Sequence, residues 1–128
     1  MTTILVIEDQ ATIRANILEL MVEEGFEAVG FEKGYTGMMW ALKHFPDLII
    51  CDIMLPDMDG YSILSQLRTY PAMAKVPFIF LTAKADKSSI FQGMYLGADE
   101  YITKPFRRTE LLEAIAFRLK QRFFDDIR

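Results

Sequence analysis

Residues 4–9 read Ile4-Leu5-Val6-Ile7-Glu8-Asp9, four consecutive apolar residues running straight into two carboxylates. An apolar run this short and continuous suits a strand covered on both faces, as strands of a parallel sheet are. The pattern recurs along the chain. Leu48-Ile49-Ile50-Cys51 runs into Asp52, Val76–Leu81 into Thr82-Ala83, and Tyr101-Ile102-Thr103 into Lys104-Pro105. Phe26–Phe31 reads as a further strand, and nothing of evident chemical use follows it. Between these runs the apolar spacing is helical. Ile13, Ile17, Leu20 and Met21 mark a helix closed by Gly25, and Tyr35–His44 one ended by Pro46. Residues 60–69 form a third, with Ile63, Leu64 and Leu67 facing inward, and Ser88–Leu96 a fourth, closed by Gly97. Arg108–Arg122 is the last, carrying Leu111, Leu112, Ile115 and Leu119.

Strand and helix alternate five times, which predicts an α/β domain. Right-handed crossovers then cover both faces of a doubly wound parallel sheet. The flavodoxin-like order 2-1-3-4-5 makes neighbours of the four strands with polar ends and leaves the second at an edge. No linker, repeat or low-complexity segment divides the chain, so residues 1–128 read as one domain, either complete or the N-terminal part of a longer protein. With 52% apolar and 25% charged residues, 128 residues suffice for a single core. A net charge of −4 gives no basic surface for nucleic acid or membranes. No apolar stretch approaches the roughly 20 residues that span a bilayer. Cys51 is the only cysteine, which excludes an internal disulfide and fits a reducing compartment. The first residues read as a strand rather than a secretory signal, so a cytoplasmic location is expected.

Chemistry in an open parallel sheet collects at the carboxyl ends of the strands. There this fold would gather Glu8, Asp9, Asp52, Thr82, Ala83 and Lys104. Two carboxylates about 4 Å apart repel by about 4 kcal/mol at an effective dielectric near 20. Lys104 offsets one of three negative charges, and the remainder matches one divalent cation. An oxygen-only donor set favours Mg²⁺ or Mn²⁺, and no His or Cys pair is present for zinc. A cation beside an aspartate, a hydroxyl and a lysine suits phosphoryl transfer. Asp52 is then the nucleophile, and Thr82 and Lys104 hold phosphate oxygens. Ala83 is small enough to let a phosphate reach backbone N–H groups. Plainer roles stand beside these: Asp52 capping a turn, Glu8-Asp9 capping the first helix, Thr82 as a cap and Tyr101 as packing. Asp57 and Asp59 read as turn and helix-cap residues, and His44 as a surface residue.

The chain resembles the receiver domains of two-component response regulators. The resemblance is carried by residues 4–9, Pro46–Asp52, the segment Met54-Leu55-Pro56-Asp57-Met58-Asp59-Gly60, Leu81-Thr82-Ala83, and Gly97–Phe106. It implies a signalling switch rather than an enzyme acting on an outside substrate. Asp52 accepts a phosphoryl group from a histidine kinase or histidine phosphotransfer protein, and the domain assists its own phosphorylation and dephosphorylation. Asp9, Asp52 and the backbone carbonyl of Met54 hold the cation, with Glu8 acting mainly through water. Thr82 and Tyr101 form a switch pair that remodels the face of the fourth helix, fifth strand and fifth helix. That face addresses an output domain, a target protein or a second copy of the chain. Lys104-Pro105 matches a cis peptide. Ala114 stands where winged-helix regulators carry an arginine of their charged dimer face, which puts that dimer mode in doubt.

Three rival functions are weighed. A flavodoxin-type electron carrier needs a phosphate-cradling loop after the first strand, where Glu8-Asp9 would repel the flavin phosphate. An aspartyl-phosphate hydrolase needs a second Asp two residues after the nucleophile, and Met54 stands there. A phosphorylation-independent pseudo-receiver does not need the intact Asp52, Thr82 and Lys104.

Overall fold

The computed structural model describes residues 1–127. Five strands, β1 (Thr3–Ile7), β2 (Glu27–Phe31), β3 (Leu48–Cys51), β4 (Phe78–Thr82) and β5 (Glu100–Thr103), form one parallel sheet in the order 2-1-3-4-5. Five helices alternate with them: α1 (Ala11–Glu23), α2 (Gly34–His44), α3 (Gly60–Arg68), α4 (Lys87–Tyr95) and α5 (Arg108–Asp126). A short 3₁₀ turn at Pro71–Met73 precedes β4.

Both faces of the sheet are covered, which is why the central strands are uniformly apolar. Ile4, Val6, Leu48, Ile50, Ile79 and Leu81 point to one face, where α1 supplies Ile17 and Met21 and α5 supplies Leu111 and Ile115. Leu5, Ile7, Ile49, Cys51, Phe78 and Phe80 point to the other, against Met38 and Ala41 of α2 and Ile63, Leu64 and Leu67 of α3. Alternate residues of a strand face opposite sides, so each residue of Ile4–Ile7 is fully buried.

Several boundaries move from those expected. β4 begins at Phe78 rather than Val76, because Val76 still belongs to the preceding turn (its N–H bonds Met73 O at 3.3 Å) and Pro77 has no N–H to give. α5 runs past Arg122 to Asp126, since no glycine or proline follows to stop it. Gly25 closes α1 in the left-handed region, φ +86°. α2 closes on Phe45, φ 53°, a phenylalanine where glycine is usual, and Pro46 follows directly.

Register carries the chemistry to one place. Ile7 pairs with Cys51 across β1 and β3, so Glu8 and Asp52 leave the sheet side by side. Asp52 N–H still bonds Ile7 O at 3.0 Å. Thr82 pairs with Thr103, and Lys104 N–H bonds Thr82 O at 2.8 Å, which brings Lys104 to the same rim.

Candidate functional site

Asp52 lies one residue past β3 and is 6% exposed. Its Oδ2 accepts from Lys104 Nζ at 2.8 Å and its Oδ1 from Met54 N–H at 3.1 Å. Beneath it α3 starts at Gly60, where a Cβ would lie 2.5 Å from Asp52 O and 2.9 Å from Ile53 Cα. Only glycine lets that helix begin against the strand end.

Glu8 is 2% exposed. Its Oε1 accepts from Lys104 Nζ at 2.5 Å, and its Oε2 accepts from Gln10 N–H at 3.1 Å. Lys104 therefore bridges both buried carboxylates, which follow the neighbouring strands β1 and β3. Burial pushes the Glu8 carboxyl above its usual range, and the Lys104 hydrogen bond opposes only part of that. Burial works to lower the Lys104 ammonium, but the hydrogen bonds to Asp52 and Glu8 outweigh it and hold the group above its usual value. The Lys104–Pro105 peptide is cis.

Asp9 is exposed, and one carboxylate oxygen each of Glu8, Asp9 and Asp52 lie within 4.8 Å of one another. Three carboxylates and one ammonium leave a net charge of −2 at this point. The donors are all oxygen, which fits one hard divalent cation of the Mg²⁺ or Mn²⁺ kind. The capping role weighed for Glu8-Asp9 is not what the structure shows. The N-cap of α1 is Gln10, which makes no side-chain cap, and Glu8 turns inward to Lys104.

Thr82 is fully buried, and its Oγ1 accepts from Lys84 N–H at 3.4 Å. Ala83 is exposed at the rim, as is the Met54 side chain. Tyr101, half-buried on β5, packs 5.9 Å from the Phe80 ring, and its hydroxyl donates to Lys84 O at 2.7 Å. Burial pushes that phenol well above its usual value. So Thr82 and Tyr101 meet at Lys84, one through its N–H and the other through its carbonyl.

Several contacts were not foreseen, two of them near the site. Arg14 Nη1 donates to the carbonyls of Glu8 at 2.8 Å and Asp9 at 3.4 Å, holding the loop between β1 and α1. A cation near a helix N-terminus, where the helix dipole disfavours it, was the available signal. Tyr61 of α3 donates to Ser89 O of α4 at 2.9 Å, and its ring meets Phe80 edge-on. As expected, Asp59 caps α3, accepting from Ser62 N–H at 2.9 Å. His44 lies on the surface, stacked on Trp40.

Comparison with known proteins returns one family. A profile described as "Response regulator receiver domain" matches residues 4–116. The transcriptional regulatory protein DltR of Streptococcus agalactiae serotype III (strain NEM316) is 40% identical over 118 residues, 92% of this chain and 52% of DltR. The transcriptional regulatory protein PcoR of Escherichia coli is 40% identical over 121 residues, 94% of this chain and 53% of PcoR. The chain thus spans about half the length of the curated relatives it matches. Among solved structures, a CheY-like receiver domain protein from Methanospirillum hungatei JF-1 superposes with a TM-score of 0.92 at 26% identity, covering 98% of each chain. The receiver domain of the sensor histidine kinase PA1611 from Pseudomonas aeruginosa PAO1, solved with a magnesium ion in its active-site cleft, superposes with a TM-score of 0.86 at 28% identity, covering 93% of this chain and 98% of that one.

Proposed function

The chain belongs to the response regulator receiver domain family of two-component signalling, and on that premise we propose that Asp52 is its phospho-acceptor. The observation that carries this reading is the Lys104 ammonium seated on Asp52 Oδ2 at 2.8 Å, beside three carboxylates within 4.8 Å. A carboxylate oxygen of Asp52 attacks phosphorus in a phosphohistidine of a partner kinase or phosphotransfer protein. The new O–P bond forms as the P–N bond breaks, and the electron pair leaves with the imidazole. Asp9, Asp52 and the Met54 carbonyl would hold Mg²⁺ or Mn²⁺, with Glu8 acting through water. The cation supplies neutralisation of phosphoryl charge. Lys104 and the Thr82 hydroxyl receive two phosphoryl oxygens, and the exposed Ala83 leaves room for a third at the backbone.

The signal then passes through Lys84. When the Thr82 hydroxyl turns to the phosphoryl group, Lys84 N–H loses its acceptor, and the Tyr101 hydroxyl is bonded to the same residue. The face that responds is α4, β5 and α5. Phe91 and Tyr95 on α4 and Phe117 on α5 are well exposed there. Arg118 of α5 pairs with Glu100 of its own chain at 2.7 Å and Ala114 offers no charge, so an output domain, target protein or second copy would meet these exposed rings beside the acidic Glu110 and Glu113 of α5. No helix among the described residues is long and apolar enough to cross a membrane.

The test uses acetyl phosphate followed by intact mass, and beryllofluoride followed by Trp40 and tyrosine fluorescence, each with and without Mg²⁺. The wild-type chain gains one phosphoryl mass and changes fluorescence only with Mg²⁺, and Asp52→Asn does neither. A wild-type chain indifferent to both reagents sinks the reading in favour of a pseudo-receiver, and turnover of many small phosphate esters sinks it in favour of a hydrolase.

A further inference from the structure

The loop from Asp52 to Gly60 carries two acidic residues that the phosphoryl chemistry leaves unused. Asp59 is spent on its own helix, α3. Asp57 instead reaches across the molecule to α2, whose own N-cap residue, Lys33, makes no side-chain cap. Its Oδ1 accepts from Gly34 N–H at 2.8 Å and its Oδ2 from Tyr35 N–H at 2.9 Å. One carboxylate thus satisfies two of the free donors at that helix start. Burial acts against its ionisation, yet the N–H groups of Tyr35 and Gly34 hold its carboxyl below the usual range.

The packing under this contact is equally tight. A Cβ at Gly34 would lie 2.7 Å from Met58 Cγ, 2.8 Å from Ile63 Cδ1 and 3.2 Å from Leu55 Cδ1. The loop therefore rests on α2 with no room for a methyl group. It is pinned on the opposite side too, by Met54 N–H on Asp52 Oδ1 at 3.1 Å and Gly60 N–H on Ile53 O at 2.8 Å. Between these fixed points lies the Met54 carbonyl.

We propose that Asp57 and Gly34 form a latch that aims the Met54 carbonyl at the divalent cation, which makes Asp57 a positioning residue for cation loading. The inference rests on the reading of Glu8, Asp9 and Asp52 as the cation site. A backbone carbonyl has no side-chain torsion with which to correct its aim, so the loop alone sets it. Mg²⁺ demands near-ideal octahedral geometry, and a loop free to drift loses affinity for it. Groups that orient metal ligands without touching the metal typically change affinity 10–100-fold when removed.

The test is calorimetric titration of the chain with Mg²⁺, followed by beryllofluoride at low and at saturating Mg²⁺. Asp57→Asn can accept only one of the two N–H bonds and turns its own N–H toward the other. Gly34→Ala keeps the carboxylate but crowds Met58 and Ile63, and Leu55 less closely. Both are expected to weaken Mg²⁺ binding about tenfold, and saturating Mg²⁺ restores the full beryllofluoride response. Asp59→Asn removes the same charge from the same loop while keeping a good cap, and it holds wild-type affinity. Wild-type affinity in both Asp57→Asn and Gly34→Ala overturns the latch. So does equal weakening in Asp59→Asn, because charge alone then accounts for the effect. A response still missing at saturating Mg²⁺ overturns it as well, since the loss is then not one of cation loading. Asp52→Asn separates the two levels. If it binds Mg²⁺ as wild type does, the cation-site reading fails and the latch with it; if it binds weakly while Asp57→Asn and Gly34→Ala do not, only the latch fails.

Discussion

The loop after β3 and the loop after β4 both leave the sheet at the same rim, yet they are held in opposite ways. Between Asp52 and Gly60 the chain is staked by backbone amides and carboxylates: Met54 N–H on Asp52, Asp57 on α2, Asp59 on α3 and Gly60 N–H on Ile53. Between Thr82 and Asp86 the chain is held by hydroxyls, Thr82 Oγ1 at Lys84 N–H and Tyr101 at Lys84 O, until Asp86 caps α4. A carboxylate that accepts two backbone N–H bonds has one good arrangement. A neutral hydroxyl bond is worth about 1 kcal/mol net and its partner can be exchanged. Under the proposed function the first loop would present ligands and the second would change partners, which is the division of labour a phosphorylation switch needs.

The sharpest test of that contrast lies where the rigid side meets its counter-ion. Lys104→Met leaves Glu8 and Asp52, both nearly buried, without their shared ammonium. Breaking a buried pair this way costs about 3 kcal/mol, read as a lower urea midpoint in EDTA. The loss grows as pH rises. Without the Lys104 bond that lowers it, the Glu8 carboxyl stands further above its unfolded value than in wild type. The folded variant therefore keeps a proton over a wider window in which the unfolded chain has released it, and its stability falls further as pH climbs. Mg²⁺ at a hundredfold excess over its Kd returns about 2.7 kcal/mol by mass action. If Mg²⁺ restores nothing to Lys104→Met, the carboxylates are not a cation site.

How far each loop could be read in advance follows the same division. β1 and β3 were legible because both their faces are buried, which leaves an uninterrupted apolar run, and the carboxylates that end them were legible because parallel register aligns Ile7 with Cys51. Asp59 as a cap is local and was read from spacing alone. What stayed hidden is through-space. Lys104 engages Glu8 as well as Asp52, Arg14 holds the carbonyls of Glu8 and Asp9, and Asp57 reaches back to Gly34 and Tyr35. Spacing along the chain cannot show which distant donor a side chain will meet. The start of β4 was misplaced for a simpler reason: Val76-Pro77 is as apolar as a strand, but Val76 N–H turns back to Met73 O.

A smaller effect is expected on the exchangeable side. Tyr101→Phe keeps the ring on Phe80 and removes only the bond to Lys84 O. The stability change is about 1 kcal/mol. The Mg²⁺-dependent phosphorylation of Asp52 proceeds as in wild type, while amide exchange across residues 84–89 accelerates. Slowed phosphorylation with unchanged exchange would erase the distinction between the two loops, because the hydroxyl would then serve the chemistry rather than the switch.

The finest test concerns the point where the hydroxyl-held loop meets the firmly capped start of α4. Asp86 accepts from Ser89 Oγ at 2.7 Å, from Ser89 N–H at 3.0 Å and from Ser88 Oγ at 3.0 Å. The Ser89 hydroxyl first, then the Ser89 N–H and the Ser88 hydroxyl, bring its carboxyl down from 3.8 to about 2. A carboxyl lowered on folding contributes stability that is present above the unfolded value and is lost as pH falls toward the folded one. Protection of the Ser89 amide should therefore decline between about pH 4 and pH 2. Asp86→Asn keeps a capping oxygen but cannot titrate, so its protection should be flat across that range. The three bonds make Asp86 the staked end of an otherwise hydroxyl-held loop. If protection at α4 is already pH-independent in the wild-type chain, the switch segment has no firm end at Asp86, and its motion must run on into the helix that carries Phe91 and Tyr95.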